Sequence, residues 1–246
     1  MRKENLPAIN STSLVKDYAD LHKTPKEDHF NNVLKAAIGA IPIVGSPISS
    51  LMNDYIPSKK QKRILEFIES LSKEFGELKN ISAHMINTDY ILSDEFAFIL
   101  ETVIKRVSEN YQKDKLSAYK AILLNSLCNT DVKESEKEYF LNLVNNLTTL
   151  HLRILSFLYS PKSYLNARNM DEKSLVGGFS QMFEYVFKDI DFEIIKNAFQ
   201  ELYDMGLVNT KKDAFYTMTS SSGLHLLGDR TSNFGKRFIK FITFGE

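Results

Sequence analysis

The side chains best suited to chemistry in this chain are its five histidines, its single cysteine and a few glycine-serine stretches. His22, His29, His84, His151 and His225 show no HExxH spacing and have no cysteine or paired carboxylate at a ligand interval, so no zinc or hydrolytic site is visible. His151 stands at the start of a helical pattern and reads as interfacial structure. Gly39 to Ser46 contains two glycines and a serine like a phosphate loop, but no lysine precedes the serine. Without it, nothing reaches the β and γ phosphates. VGSPI is not a nucleophile elbow, because Pro47 and Ile48 follow Ser46 where that motif ends in glycine. The glycine pair in LVGGFS reads as a bend, and the paired acids Asp189 and Asp191, or Asp94 and Glu95, as helix-start charges. Cys128, in the apolar run AILLNSLC, cannot form an internal disulfide and reads as a small core residue in a reducing compartment. No catalytic, cofactor-binding or metal-ligating residue is assigned, no cofactor is called for, and no small-molecule ligand is evident.

What stands out instead is AAIGAIPIVGSPISSLM, residues 36–52, which has no charged residue in a chain where 25% of residues are charged. Seventeen residues sit at the bottom of the range of about 17 to 25 needed for a helix to cross a bilayer. Ser46, Ser49 and Ser50 lower its hydrophobicity, and Pro42 and Pro47 break the hydrogen-bond ladder, so a simple spanning helix is excluded. Two readings remain. In one, Ile38, Ile41, Pro42, Ile43, Val44, Pro47, Ile48 and Leu51 form a re-entrant or conditionally inserting hairpin, and Lys59, Lys60, Lys62 and Arg63 contact anionic headgroups. In the other, a helix from about Asn31 to Ala40, a turn and a short helix to Tyr55 are buried by the rest of the chain. Ala36, Ala37, Gly39 and Ala40 permit close helix approach in either solvent.

The elements that must carry these residues are helical. Lysine plus arginine equals aspartate plus glutamate at 31 each, so no general field draws in nucleic acid or membrane, and any such partner needs a local patch. The basic N-terminus lacks the apolar core of a secretory signal, and a cytoplasmic location is expected, peripheral to the inner face of the membrane if the hairpin inserts. Residues 1–30 read as a polar arm with Leu14, Tyr18 and Leu21 at helical spacing. After Pro57 and Ser58, a long amphipathic helix places Ile64, Ile68, Leu71, Phe75, Leu78 and Met85 in one seam. Ser93 and Asp94 open a second helix with Phe96, Ile99, Leu100, Val103, Ile104 and Val107 inward, and Asp114 opens a third. Ser135 and Glu138 have capping-box spacing before Phe140, Leu143 and Val144. Residues 31–146 therefore read as a helical bundle that includes the apolar hairpin.

From 147 to 246 the pattern changes. Thr148 or Thr149 caps a helix that ends before Pro161. A later helix turns Ile194, Ile195, Ala198, Phe199, Leu202 and Tyr203 inward and stops at Gly206. LVNT and AFYTMT alternate apolar and polar side chains around TKKD, which predicts a β-hairpin with Lys211 and Lys212 on its wing, followed by a last helix. The expected fold class is mainly α: a bundle followed by a winged-helix-like domain with a short β-hairpin. In such a domain DFEIIKNAFQELYD would enter the DNA groove, yet it carries Asp191, Glu193, Glu201 and Asp204 against Lys196 alone. Phosphates would repel it, so DNA is a disfavoured partner.

Three pieces carry a resemblance. Leu147, Thr148, Leu150, Ile154, Leu155 and Leu158 form L-T-x-L-x-x-x-I-L-x-x-L, followed by Gly206, Leu207 and Val208 and then by Thr231, Gly235 and Phe238 in T-x-x-G-x-x-F. These resemble the C-terminal half of bacterial helical proteins of the abortive-infection alpha type, over roughly residues 60–242 in helix order. The resemblance implies a role in self-sacrificing defence against phage and supplies no catalytic residues. The expected function is a non-enzymatic effector or regulator acting through a protein partner, itself included, or an anionic membrane. The alternative is a winged-helix transcription regulator or protein-binding adaptor that never touches lipid.

Overall fold

The computed structural model of the chain describes residues 58–82, 86–91, 93–128, 132–171, 175, 177–216, 227 and 230–244. Within them the protein is mainly helical, and no sheet forms. The arm expected over 1–30 and the apolar segment 36–52 lie outside the described residues. The chain divides into two compact units, residues 1–111 with 126–131, and residues 112–125 with 132–246.

In the first unit, α1 (Ser58–Ser82) and α3 (Asp94–Glu109) follow the expected periodicity, and a one-turn helix that the spacing did not predict, α2 (Thr88–Ile91), lies between them. Ile64, Ile68, Leu71 and Phe75 of the predicted seam are buried and Phe67 joins them, while Leu78 is half-buried and Met85 lies outside the described residues. They pack with the face of α3 made by Phe96, Ile99, Leu100, Val103, Ile104 and Val107, all buried as their spacing requires. Burying one such side chain contributes on the order of 1.5–3 kcal/mol, so this seam is what joins the pair. The two helices run antiparallel, because Arg63 near the start of α1 donates through Nη1 to the carbonyl of Ser108 at the end of α3, 2.7 Å away. Ser93 caps α3 by accepting the Phe96 N–H at 3.2 Å, and Asn110 closes it with Nδ2 on the Arg106 carbonyl at 2.9 Å. Ile86 bridges Cys128 in antiparallel fashion, leaving the cysteine half-buried with its thiol pKa pushed up by burial.

The second unit comprises α4 (Lys113–Leu127, through Asn125), α5 (Glu134–Asn146), α6 (Thr149–Tyr159), α7 (Pro161–Asn166), α8 (Phe179–Val186), α9 (Phe192–Asp204) and α10 (Asn233–Ile242). Helix α6 lies at its centre, packing with α7, α9 and α10. That position explains its sequence: His151, Leu152, Ile154, Leu155, Phe157 and Leu158 are buried around most of its circumference. Thr148 caps it, and Pro161, expected to end it, opens α7 at a first-turn position where its missing N–H costs nothing. Helix α5 belongs to this unit because the Phe140 ring lies 5.4–5.6 Å from Phe234, Phe238 and Phe241 of α10. The predicted Ser135–Glu138 box does not form, because α5 begins two residues earlier, with Lys133 at the N-cap position, and has no side-chain cap. The end of α10 is closed from α4: Asn125 Nδ2 donates to the carbonyls of Phe241 at 2.8 Å and Thr243 at 2.9 Å.

The hairpin is the expectation the described residues do not support. Lys212–Tyr216 forms a 3₁₀ turn, and Thr217–Thr219 lie outside the described residues. The alternation in AFYTMT has a different cause. Phe215 is buried against Phe179, Phe183, Phe192 and Phe199, with ring centroids 4.8–5.4 Å apart, and this anchors the turn to α8 and α9. LVNT instead pairs further along the chain, through one bridge between Val208 and Thr231 flanked by Asn209 N–H to Arg230 and Ser232 N–H to Leu207. Of the residues predicted inward on α9, Ile195, Ala198, Phe199 and Leu202 are buried, Tyr203 is half-buried, and Ile194 faces solvent.

Gly206 takes the C′ role expected of it. At φ +72° it lets Leu207 N–H reach back to the Leu202 carbonyl at 2.9 Å and so terminates α9. Ser232 caps α10 through the Gly235 N–H at 2.8 Å and donates its hydroxyl to the Gly206 carbonyl at 2.6 Å. The G-L-V and T-x-x-G motifs are thus two halves of one junction.

Candidate functional site

The start of α1 carries the chain's basic cluster, and the structure divides its members. Lys59, Lys60 and Lys62 are exposed. Lys62 lies 3.6 Å from Glu66, one turn on, a surface pair worth about 0.3–0.5 kcal/mol. Arg63 is half-buried and spends one donor on the Ser108 carbonyl, which ties α1 to α3. The first turn has no acidic residue, and lysines there oppose the positive end of the helix dipole by about 0.3–1 kcal/mol each. Helix stability therefore does not account for them. The apolar members of the expected contact set, Ile38, Ile41, Pro42, Ile43, Val44, Pro47, Ile48 and Leu51, lie outside the described residues.

The two expected wing residues lie on no wing strand. Lys211 is exposed, with its ammonium 5.6 Å from the Tyr203 ring, and Lys212 opens the 3₁₀ turn, its N–H held by Gln200 Oε1 at 3.2 Å. Both belong to the connection folded along α9. On that helix Asp191, Glu193, Glu201 and Asp204 are exposed, whereas Lys196 is 5% exposed. Its ammonium bonds Glu193 and lies 2.9 Å from the Tyr216 hydroxyl, beside the rings of Phe192 and Tyr216. These partners, Glu193 first, raise its pKa. The helix presents acid to solvent and keeps its cation inside.

The arrangement nearest to catalytic geometry is Thr148, His151 and Glu201. His151 Nδ1 lies 2.7 Å from Thr148 Oγ1, and Nε2 lies 2.9 Å from Glu201 Oε2. A hydroxyl, an imidazole and a carboxylate in line are the parts of a nucleophile, its base and the group that orients the base. Local geometry gives them another role. The Thr148 N–H donates to Nδ1 at 3.0 Å, and the Thr148 hydroxyl oxygen receives the His151 N–H at 3.4 Å, so the pair forms a reciprocal cap with histidine in the place usually held by glutamate or glutamine. With Nδ1 accepting, the ring proton sits on Nε2, facing Glu201, although the approach is poorly directed for a hydrogen bond. Burial lowers the His151 pKa below its ordinary 6.5, the nearby Lys115 charge lowers it further, and Glu201 offsets part of the drop. Lys115 in turn donates to the Asn145 carbonyl at 3.1 Å. The signal for this joint was the T-x-x-H spacing at the helix start, hidden because the usual pattern names only glutamate and glutamine.

Among the described residues no cluster of three or more histidine, cysteine, aspartate or glutamate side chains is placed to hold a metal ion, and no helix is long and apolar enough to cross a membrane. No protein-family model, no curated protein and no solved structure matches the chain.

Proposed function

We propose that this chain is a non-enzymatic, abortive-infection-like bacterial defence effector or regulator, acting through contact with an anionic membrane. The observation that carries this reading is the start of α1, where Lys59, Lys60 and Lys62 are exposed at the positive end of a helix with no acid in its first turn. They follow, in sequence, the uncharged segment 36–52. Each lysine near an anionic surface adds about 1 kcal/mol, so three give a local attraction that the neutral chain as a whole lacks. The resemblance in the C-terminal half supports the defence role, and the proposed location is the cytoplasm, peripheral to the inner face of the membrane. Flotation with vesicles containing phosphatidylglycerol tests it: wild type floats at low salt, and a Lys59, Lys60, Lys62→Ser variant stays at the bottom. Wild type staying at the bottom on such vesicles sinks the reading.

The second reading is a protein-binding adaptor or self-associating regulator without membrane activity, with the C-terminal half as a winged-helix-like module. Its support is the helix order and the acidic outer face of α9, which suits a basic protein surface better than DNA. A gel shift with pooled genomic fragments at low salt tests its DNA form, and no shift is expected.

A further inference from the structure

Tyr164 on α7 is 5% exposed, its ring lying 5.5 Å from Phe157 and 6.2 Å from Phe187. Two arginines meet it from different sides. The guanidinium carbon of Arg168 lies 3.7 Å over the ring centroid, and its Nη1 donates to the Tyr164 carbonyl at 3.4 Å. Arg153, from α6, donates through Nε to the Tyr164 hydroxyl at 3.3 Å, with its guanidinium carbon 5.3 Å over the Phe187 ring. Among the described residues neither arginine has a carboxylate partner. The surrounding sequence is biased the same way: from Tyr139 to Met170 there is no aspartate or glutamate, although a quarter of the chain is charged.

We propose that Arg153 and Arg168, positioned by Tyr164, bind an oxyanion of the phosphate class. A guanidinium has five N–H donors in a planar fork that matches two oxygens of a phosphate, and each of these arginines uses one on Tyr164. Both are held on neutral aromatic and hydroxyl groups. An incoming anion therefore displaces no internal carboxylate and meets side chains already restrained, which lowers the ordering cost of binding. Both guanidiniums touch Tyr164, Arg168 over its ring face and Arg153 at its hydroxyl. Sequence reading misses the pair because the two arginines are fifteen positions apart and meet only through a tyrosine on the intervening helix.

The test uses the full chain and inorganic phosphate, added at constant ionic strength, with the arginine Nε–Hε resonances as readout. Saturable shifts of two resonances, those lost in Arg153→Gln and Arg168→Gln, are expected. Either substitution weakens binding by about tenfold or more, and Tyr164→Phe, which keeps the packed ring and removes the hydroxyl that holds Arg153, weakens it about fivefold. Thermal melts confirm that each variant folds, and the exposed Arg168→Gln provides the test if Arg153→Gln does not. A parallel arm measures pelleting with vesicles containing phosphatidic acid. Phosphate shifts without arginine-dependent pelleting mark a free phosphate compound, and pelleting that falls in the arginine variants marks a lipid headgroup. The absence of saturable shifts together with pelleting insensitive to these arginines overturns the site, as do shifts that persist in both glutamine variants. The α1 lysines are untouched in these variants, so failure here leaves the membrane reading standing.

Discussion

A β-carbon added to Gly235 would come within 2.0 Å of the carbonyl oxygen of Leu207. No side-chain adjustment relieves a contact with backbone, so Gly235→Ala must separate the start of α10 from the end of α9. The expected loss is about 2 kcal/mol or more, read by chemical denaturation. A variant as stable as wild type would show that the two motifs are not docked in this way.

Asn125 closes α10 with two good hydrogen bonds, to Phe241 and Thr243, and a longer one of 3.4 Å to Lys240. Asn125→Ala leaves those carbonyls without this partner and is expected to cost about 1–3 kcal/mol. Hydrogen exchange should quicken selectively over residues 239–243. Uniform quickening across the unit would assign the effect to packing instead.

The His151 joint gives stability a pH dependence of definite sign. Its folded pKa lies below the unfolded value of 6.5, so the imidazole is neutral in both states at higher pH and its contribution is intact there. As pH falls below 6.5, the unfolded state takes up the proton first and stability drops, by at most about 1.4 kcal/mol per pH unit for this one group. His151→Gln preserves an acceptor at the capping position and removes the titration. Subtracting its stability curve from that of wild type between pH 4.5 and 8 isolates the effect from the other histidines; a flat difference refutes the assignment.

The basic cluster should separate into two behaviours. Arg63→Ala removes a charged hydrogen bond between α1 and α3 and is expected to lower stability by about 1.5–3 kcal/mol. Lys59→Ser with Lys60→Ser should not lower stability, since each lysine opposes the helix dipole by about 0.3–1 kcal/mol, while reducing vesicle binding, with a weaker dependence on salt. Equal stability losses in the two variants would deny the division.

What could be read from the sequence followed from repeating spacing. The α1 seam from Ile64 to Phe75, the inner face of α3 and the stop at Gly206 rest on helical period and glycine stereochemistry, both local, and all appear in the structure. The misreadings come from side chains whose role is set by distant partners. Phe215 alternates like a strand residue, but its rings-on-rings burial favours a 3₁₀ turn. Ile194 fits the apolar period of α9 yet faces outward. His151 fills a capping role usually held by another residue type. For Phe215 and His151 the deciding contact is a tertiary or reciprocal one that periodicity does not encode.

The junction of Gly206–Asn209 with Arg230–Gly235 holds both ends of the intervening stretch through backbone pairing, a bridge and a cap. Doubling the length of chain between such fixed ends costs only about 0.6 kcal/mol in closure entropy. The hydrogen bonds that join the end of α9 to the start of α10 therefore outweigh the closure cost of a longer connection, and the junction should survive an insertion between Asn209 and Arg230 that keeps the buried Phe215 and Leu227 in place.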